Sequence, residues 1–185
     1  MTKVTKPKTY LDLGKFEVSE LSALVAKLPD SLWSIEDQRK ENNFSVFHHT
    51  QHIIFRFTPG NRDHTDFYTN PIWDVWKARL LPLMDAITAQ YGHVETAYSK
   101  VMLARLLSGH SIDRHVDGAG ANLHTHKVHV PLISGPSATF TIEDDERHLE
   151  VGRAYEVNNI KRHSACNLEG SHRVHLIFEH YDAAA

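Results

Sequence analysis

The chain has 185 residues, enough for one domain with a substantial core and fewer than two domains usually need. A formal net charge of -3 without any long Lys/Arg block argues against nucleic acid as a partner. The single cysteine, Cys166, excludes an intrachain disulfide and supports neither a cysteine-based zinc site nor an iron–sulfur cluster. No apolar run is long enough to span a membrane and the N-terminal segment lacks the apolar stretch of a secretory signal, so we expect a cytoplasmic protein.

The first part of the chain, to about residue 98, mixes helical and strand patterns, and we expect it to support the core. Apolar residues at helical spacing from position 21 to 28 predict a helix. Ser19 is the expected N-cap of this helix, and Pro29 is expected to end it.

A strand and a longer helix are predicted next. Residues 51–57 have the composition of a strand. Asn70 followed by Pro71 predicts an N-cap and the first position of a helix. Apolar residues continue this amphipathic helix from position 73 to 87, and we expect it to kink or restart at Pro82.

Runs of strand-forming residues follow one another from about residue 99 to 181, separated by Gly, Pro, Asn and Asp. Short strands at this spacing indicate an antiparallel barrel or a double-sheet jelly roll, of which cupins are one form. Because the helices come first, we expect them to brace one sheet from outside, within a single domain of residues 1–185. The predicted strands are residues 100–107, 127–133, 138–142, 153–157 and 173–180.

Three residues in the second half of the chain have the types and spacing of a metal site. In His115-Val116-Asp117 the His and Asp side chains point to the same face of an extended segment. With the distant His163 they form the 2-His-1-carboxylate set that holds non-haem Fe(II) and leaves positions open for a 2-oxo acid and O2. The alternative is that Asp117 and His163 simply belong to polar turns.

Two predicted strands carry cations on one face and apolar residues on the other. Arg173 and His175 alternate with apolar residues on the last strand, and Lys127 and His129 do the same on an earlier one. If the apolar faces pack against the helices, a buried Arg173 is costly unless a carboxylate pairs with it. A dicarboxylic cosubstrate such as 2-oxoglutarate would supply that carboxylate, and we expect Arg173, His175, Lys127 and His129 to bind it. An internal Asp or Glu, or the opposite orientation of Lys127 and His129, is the alternative.

From about residue 99 to 181 the sequence resembles the aspartyl/asparaginyl β-hydroxylase family, which includes proline hydroxylases of free amino acids. The ten-residue step from His163 to Arg173 is the most specific shared feature. The others are His115, residues 127–132 (KVHVPL), Gly152 with residues 153–159 (RAYEVNN), and residues 173–176 (RVHL).

The resemblance implies a double-stranded β-helix that uses Fe(II), 2-oxoglutarate and O2 to hydroxylate an amino-acid-type side chain, free or peptidyl, with succinate and CO2 as further products. It also implies that His129 and Arg173 bind 2-oxoglutarate. Lys127 stands where an Arg is common, and the two cations are not interchangeable. Asp117 is present here, whereas the best-known peptide-modifying member lacks this carboxylate.

A small-molecule or peptide substrate is expected, without a membrane partner. Four polar residues are expected near the mouth of the site, where they would grip a carboxylate or an amine of the substrate. They are Arg105, His124, His126 and Lys161.

Histidine is unusually frequent, with 15 residues, and two further groups need an interpretation. His124 and His126 share a face of an extended segment, where the two imidazoles could bind a metal. The alternative function is therefore a cupin-like metal- or small-acid-binding protein without oxygenase activity. In residues 48–52 (HHTQH) the imidazoles alternate and cannot form one cluster. We expect a surface strand there, with a rim role left open for Gln51 or His52.

Overall fold

The computed structural model describes residues 3–40 and 45–185, which form two antiparallel sheets and three α-helices. The helices are α1 (Ser19–Ala26), α2 (Asp30–Asp37) and α3 (Trp73–Thr88). The strands are β1 (Tyr10–Lys15), β2 (Thr50–Phe57), β3 (Tyr68–Thr69), β4 (Thr96–Leu106), β5 (His110–His115), β6 (His126–Ile133), β7 (Ala138–Ile142), β8 (Asp145–Arg147), β9 (Arg153–Val157), β10 (His163–Asn167) and β11 (Arg173–Asp182).

The strands build the double-stranded β-helix that the sequence predicts. The larger sheet has the order β1-β9-β6-β11-β4-β2-β3, and the smaller one has the order β5-β10-β7-β8. An apolar cluster joins the two sheets, with Leu106 and Val157 from the larger sheet against Phe140 and Ala165 from the smaller one. The first part of the chain is therefore more than a support, because it supplies three strands of the larger sheet.

The helices cover the outer face of the larger sheet. Trp33 of α2 and Leu80 of α3 belong to the same buried cluster as Val130 of β6, Leu176 of β11 and Leu103 of β4. This burial takes one face of each central strand out of water and forces the alternate side chains of β4, β6 and β11 to the inner face. The inner face is therefore where the polar residues of these strands meet.

Most predicted elements are present, with corrections at helix ends. The N-cap of α1 is Val18, and Ser19 is instead the first helical residue, its N–H donating to Glu17 Oε1 at 2.7 Å. Asn70 and Pro71 both precede α3, whose N-cap is Ile72 and whose first residue is Trp73, and the side-chain amide of Asn70 donates instead to Ile54 O of β2 at 2.8 Å.

The longest helix is also uninterrupted. α3 runs continuously from Trp73 to Thr88 through Pro82, so the expected restart is absent. Within residues 3–40 and 45–185, no helix has the length and apolar character needed to cross a membrane.

Candidate metal and cosubstrate site

His115, Asp117 and His163 converge on one point. His115 ends β5 and His163 begins β10, and the two are direct partners in the strand pairing. Asp117 lies in the loop after β5, where its Oδ1 is 3.6 Å from His115 Nε2 and 3.5 Å from His163 Nε2. One potential ligand atom from each residue lies within 4.8 Å of the other two. Among the described residues, this is the group with the geometry to hold a metal ion.

Both imidazoles are fixed with Nε2 as the atom available to a metal. Nδ1 of His115 lies 2.7 Å from Asp113 O, and Nδ1 of His163 lies 2.9 Å from Lys161 O. A carbonyl only accepts, so each Nδ1 carries the proton and each Nε2 carries a lone pair. Such backbone partners orient metal-binding imidazoles, and the donor set of two nitrogens and one carboxylate oxygen suits Fe(II).

The second oxygen of Asp117 is held by the protein. Lys127 Nζ lies 2.5 Å from Asp117 Oδ2, and Asn159 Nδ2 donates to the same oxygen at 3.3 Å. Burial alone would raise the pKa of Asp117, but the Lys127 ammonium outweighs burial and holds this pKa well below its usual range. Asp117 is therefore an anion with Oδ1 left for a cation.

The loop that carries Asp117 is tied to its surroundings. Asn122 Nδ2 donates to Asp117 O at 2.9 Å, and Asn61 Nδ2 donates to Ala119 O at 2.9 Å. Gly120 has φ of 89°, and a Cβ there would lie 2.1 Å from the carbonyl oxygen of Asn61. Only glycine permits this close approach of two backbone segments.

A row of alternating charges crosses the inner face beside the metal site. Glu179 of β11 is the strand partner of Lys100 on β4 and of Lys127 on β6. Lys100 Nζ lies 3.1 Å from Glu179 Oε2, which also accepts from Thr125 Oγ1 at 2.9 Å. Lys127, raised in pKa mainly by Asp117 against the effect of burial, connects this row to Asp117.

A buried arginine without an anionic partner lies on the same inner face. Arg173 is 5 % exposed, and its Nε and Nη1 make no hydrogen bond within the described residues. Burial lowers the pKa of Arg173 to about 10, which still leaves it cationic at neutral pH. A buried, unpaired guanidinium is costly, and a carboxylate is its best match.

Two neutral imidazoles lie beside that arginine. Nδ1 of His129 and Nδ1 of His175 are 3.4 Å apart, while Nε2 of each has no partner among the described residues. Burial first, and then neighbouring cations that include Arg173, keep the pKa of both far below its usual value. Because the two neutral rings share one N–H between their Nδ1 atoms, one of the two Nε2 atoms carries a proton. That N–H and the unpaired N–H groups of Arg173 are donors that a carboxylate-bearing cosubstrate would satisfy.

These groups line one cavity of about 820 Å3, within the size range of small-molecule sites. Its polar wall includes His115, Asp117, His163, Lys127, His129 and Arg173. Its apolar wall includes Phe47, Ile54, Phe57, Met102, Ile112 and Ile177. His175 lies behind His129 rather than on the cavity wall described here.

The four residues expected to contact substrate are not among the described residues that line the cavity. Arg105 points to the helical side of the larger sheet, where it pairs with Asp30 at 2.7 Å and lies over the ring of Trp33. His126 also points outward and pairs with Glu156 at 2.8 Å. His124 stacks on His64 with ring centroids 5.2 Å apart, and Lys161 follows β9 outside the cavity wall.

The histidine-rich segment is divided between the two faces, as its alternation requires. His52 lines the cavity and its backbone N–H donates to Asp37 Oδ1 at 2.9 Å. His49 stacks instead on His110 with ring centroids 3.8 Å apart, and Gln51 binds the Arg105 side chain.

Sequence reasoning assigned no role to several residues that the structure places around the ligands. They are Asn159, Asn122, Asn61, Phe47 and Lys6. A role for Asn159 could have been predicted from the sequence, because Asn159 falls in the segment that carries the family resemblance.

A double-stranded β-helix with a His–Asp–His set and an unpaired buried arginine has the fold and donor groups of an Fe(II)- and 2-oxoglutarate-dependent oxygenase. The family model described as Aspartyl/Asparaginyl beta-hydroxylase matches residues 67–182, more than half of the chain. The chain belongs to this family of hydroxylases. Membership does not favour the cupin-like binding alternative, and among the described residues the group with metal-binding geometry includes neither His124 nor His126.

Solved structures share the fold at low sequence identity. A 2OG-Fe(II) oxygenase family oxidoreductase from Burkholderia pseudomallei has a TM-score of 0.65 at 15% identity, with 94% of this chain and 86% of that chain covered. A prolyl hydroxylase from Trichoplax adhaerens, in complex with a hypoxia inducible factor peptide fragment, has a TM-score of 0.61 at 14% identity, covering 95% and 84%. A Pseudomonas putida prolyl-4-hydroxylase has a TM-score of 0.51 at 15% identity, covering 94% and 92%. No curated protein sequence matches the chain significantly.

Proposed function

We propose that this protein uses Fe(II), 2-oxoglutarate and O2 to hydroxylate an amino-acid-type side chain, free or within a peptide. His115, Asp117 and His163 hold the iron, and Arg173 with His129 binds the cosubstrate. The observation that supports this most directly is that one cavity contains two kinds of group. Three atoms that could bind a metal lie within 4.8 Å of one another, and a buried arginine on the same cavity wall has unpaired N–H groups.

The protein itself has three tasks in this reaction: to hold the iron, to orient the cosubstrate and to exclude water. With Fe(II) and 2-oxoglutarate bound, the site would supply activation of O2, by which one oxygen atom would go to the substrate carbon and the other to succinate, with release of CO2. His115, Asp117 and His163 supply three ligand atoms and leave the remaining positions open. Arg173 orients the distal carboxylate of the cosubstrate, and His175 supports His129 through their paired Nδ1 atoms.

The wall available to substrate is apolar. Ile54, Met102 and Ile177 are neighbours across β2, β4 and β11. Phe47 lies edge-on to His115, with ring centroids 5.0 Å apart. The group that enters beside the iron would therefore present an apolar C–H-bearing surface, and these walls exclude water from it.

The charged side chains on the described cavity wall support the same conclusion, because they are already paired apart from Arg173. The pairs are Lys40 with Asp37, Lys100 with Glu179 and Lys127 with Asp117. A charged group of the substrate entering the cavity would have to displace one of these partners. The ammonium or carboxylate of a free amino acid would therefore stay at the mouth of the cavity.

The direct test is succinate formation by the purified protein. Succinate should form only with Fe(II), 2-oxoglutarate and O2, and should be lost in His115→Ala. His110→Ala is the matched control, because His110 lies on the same strand and stacks on His49 outside the cavity. A panel of free and peptide-embedded amino acids, read by mass spectrometry for a gain of one oxygen atom, would identify the substrate. Failure of the wild-type protein to bind 2-oxoglutarate by calorimetry in the presence of Mn(II) would contradict the proposal.

A further inference from the structure

The N-terminal segment before β1 lies against the metal-site loops, although it is outside the family-matched residues 67–182. The N–H of Val4 donates to Leu123 O at 3.0 Å, just before β6. The N–H of Asn158 donates to Thr9 O at 2.9 Å, and its side-chain amide donates to Pro7 O at 2.7 Å. The segment is thus fixed at both ends, with Lys6 between them.

Lys6 contacts one end of a buried amide whose other end contacts the metal ligand. Its Nζ donates to Thr125 O at 2.6 Å and to Asn159 Oδ1 at 2.9 Å. Asn159 is 1 % exposed, and its Nδ2 donates to Asp117 Oδ2 at 3.3 Å. The contacts therefore run from Lys6 through Asn159 to Asp117.

We propose that Lys6 and Asn159 are positioning residues that hold the Asp117 carboxylate in its metal-binding orientation, an inference that rests on the proposed metal site. An asparagine amide has a donor end and an acceptor end of almost the same shape. An ammonium can only donate, so Lys6 requires Oδ1 of Asn159 to face it. The NH2 group then faces Asp117 Oδ2, which leaves Oδ1 of Asp117 directed at His115 and His163.

Loss of Lys6 would remove one of the two charged groups that fix this orientation. Oδ1 of Asn159 and Thr125 O would lose the donor they share, and the amide would keep only its 3.3 Å contact with Asp117 Oδ2. Burial also lowers the pKa of Lys6 to about 8, so the fold keeps a partly desolvated cation at neutral pH. If the N-terminal segment served only to cover the barrel, an apolar side chain at position 6 would serve as well as a lysine.

The test measures metal affinity of the full-length protein without any turnover. Mn(II) binding is followed by calorimetry, and the Mn(II) environment by electron paramagnetic resonance, for Lys6→Met, Asn159→Ala and the double variant. Lys8→Met is the matched control, because Lys8 lies two residues away on the same segment and is exposed. We expect Asn159→Ala and Lys6→Met each to weaken Mn(II) binding by roughly ten-fold or more, the range for groups that orient metal ligands.

The double variant separates positioning from a general structural effect. If Lys6 acts through Asn159, the double variant binds Mn(II) about as weakly as Asn159→Ala alone. The inference is wrong if the losses of Mn(II) affinity in the two single variants multiply in the double variant, or if Lys6→Met and Lys8→Met bind Mn(II) equally well. Neither result would contradict the metal site itself. Absence of Mn(II) binding by the wild type would overturn the metal site and this inference together. Should Lys6→Met fail to fold by circular dichroism, Lys6→Gln replaces it under the same criteria.

Discussion

Lys127 Nζ lies 2.5 Å from Asp117 Oδ2, while Oδ1 of the same carboxylate faces the imidazoles of His115 and His163. Lys127 thus keeps the carboxylate ionised and leaves one oxygen free. Strand alternation predicts that Lys127 faces an anionic cosubstrate, whereas its ammonium is paired with Asp117, the proposed metal ligand. Its role in cosubstrate binding therefore stays a prediction.

Lys127→Met is expected to weaken Mn(II) or Fe(II) binding by roughly 10- to 100-fold, as for other groups that orient a metal ligand. Without the ammonium, burial would raise the pKa of Asp117, so the loss should be largest at low pH. Calorimetric titration between pH 6 and 8 measures both effects. Lys15→Met, at the exposed end of β1, is the control for loss of one positive charge. Equal affinity of the Lys127 and Lys15 variants would show that the pair does not support the site.

Arg173→Met is expected to reduce 2-oxoglutarate affinity by more than about 100-fold, since charge-assisted hydrogen bonds contribute about 1.5–3 kcal/mol each. The same change removes a buried, unpaired cation, so the Tm of the ligand-free protein should rise by a few degrees. Calorimetry and a thermal melt measure the two effects.

Arg105→Met is the control for the Arg173 variant. Arg105 is equally buried, but on the helical side of the sheet and paired with Asp30. This variant should keep its 2-oxoglutarate affinity and lose stability. A lowered Tm for ligand-free Arg173→Met would contradict the view that Arg173 lacks an internal partner.

His180 is expected to make the protein sensitive to acid. It is fully buried, with Nδ1 3.0 Å from His93 Nε2 and its ring stacked on His126, which pairs with Glu156. Burial, and then His126 and His93, lower the pKa of His180 to about 2, while Lys6 adds a smaller effect in the same direction.

The sign of the acid sensitivity follows from proton uptake. Below about pH 6.5 the unfolded chain protonates this histidine and the folded chain does not, so stability falls as pH falls, by up to about 1.4 kcal/mol per pH unit. His180→Phe should flatten the dependence of unfolding free energy on pH between 6.5 and 4.5, measured by urea denaturation of metal-free protein. His110→Phe should retain the wild-type slope. Parallel curves for wild type and His180→Phe would exclude this source of acid sensitivity.

The repeating pattern of the strands made much of the fold predictable. Residues 138–142 and 153–157 are strands with the predicted bounds, and alternation places Lys127, His129 and Arg173 on the cavity side. Period-two alternation is a property of the extended backbone, so it needs no knowledge of distant contacts.

Arg105 and His126 were predicted at the mouth of the cavity from their position along the chain, close to other site residues, and not from strand alternation. The structure places neither on the described cavity wall. Arg105 and Lys100 are five residues apart on β4, so alternation puts them on opposite faces. His126 directly precedes Lys127 on β6, so the two cannot share a face. Contacts such as Lys6 with Asn159, 153 residues apart, depend on the pairing of β1 with β9 and have no local pattern.

Gly120 provides a test of the loop that presents Asp117. A Cβ at this position would lie 2.1 Å from Asn61 O, and φ is 89°, so Gly120→Ala must move one of the two backbone segments. The displacement acts on the loop that also carries Asp117, the proposed metal ligand, so Mn(II) affinity should fall together with Tm. Gly109→Ala is the control for a positive φ, because Gly109 has a φ of +74° and a Cβ there meets nothing within 4 Å. Gly109→Ala should cost only about 1–2 kcal/mol of stability and leave Mn(II) affinity unchanged. If both variants lose stability equally and both bind Mn(II) normally, the close approach of Asn61 is not what positions Asp117.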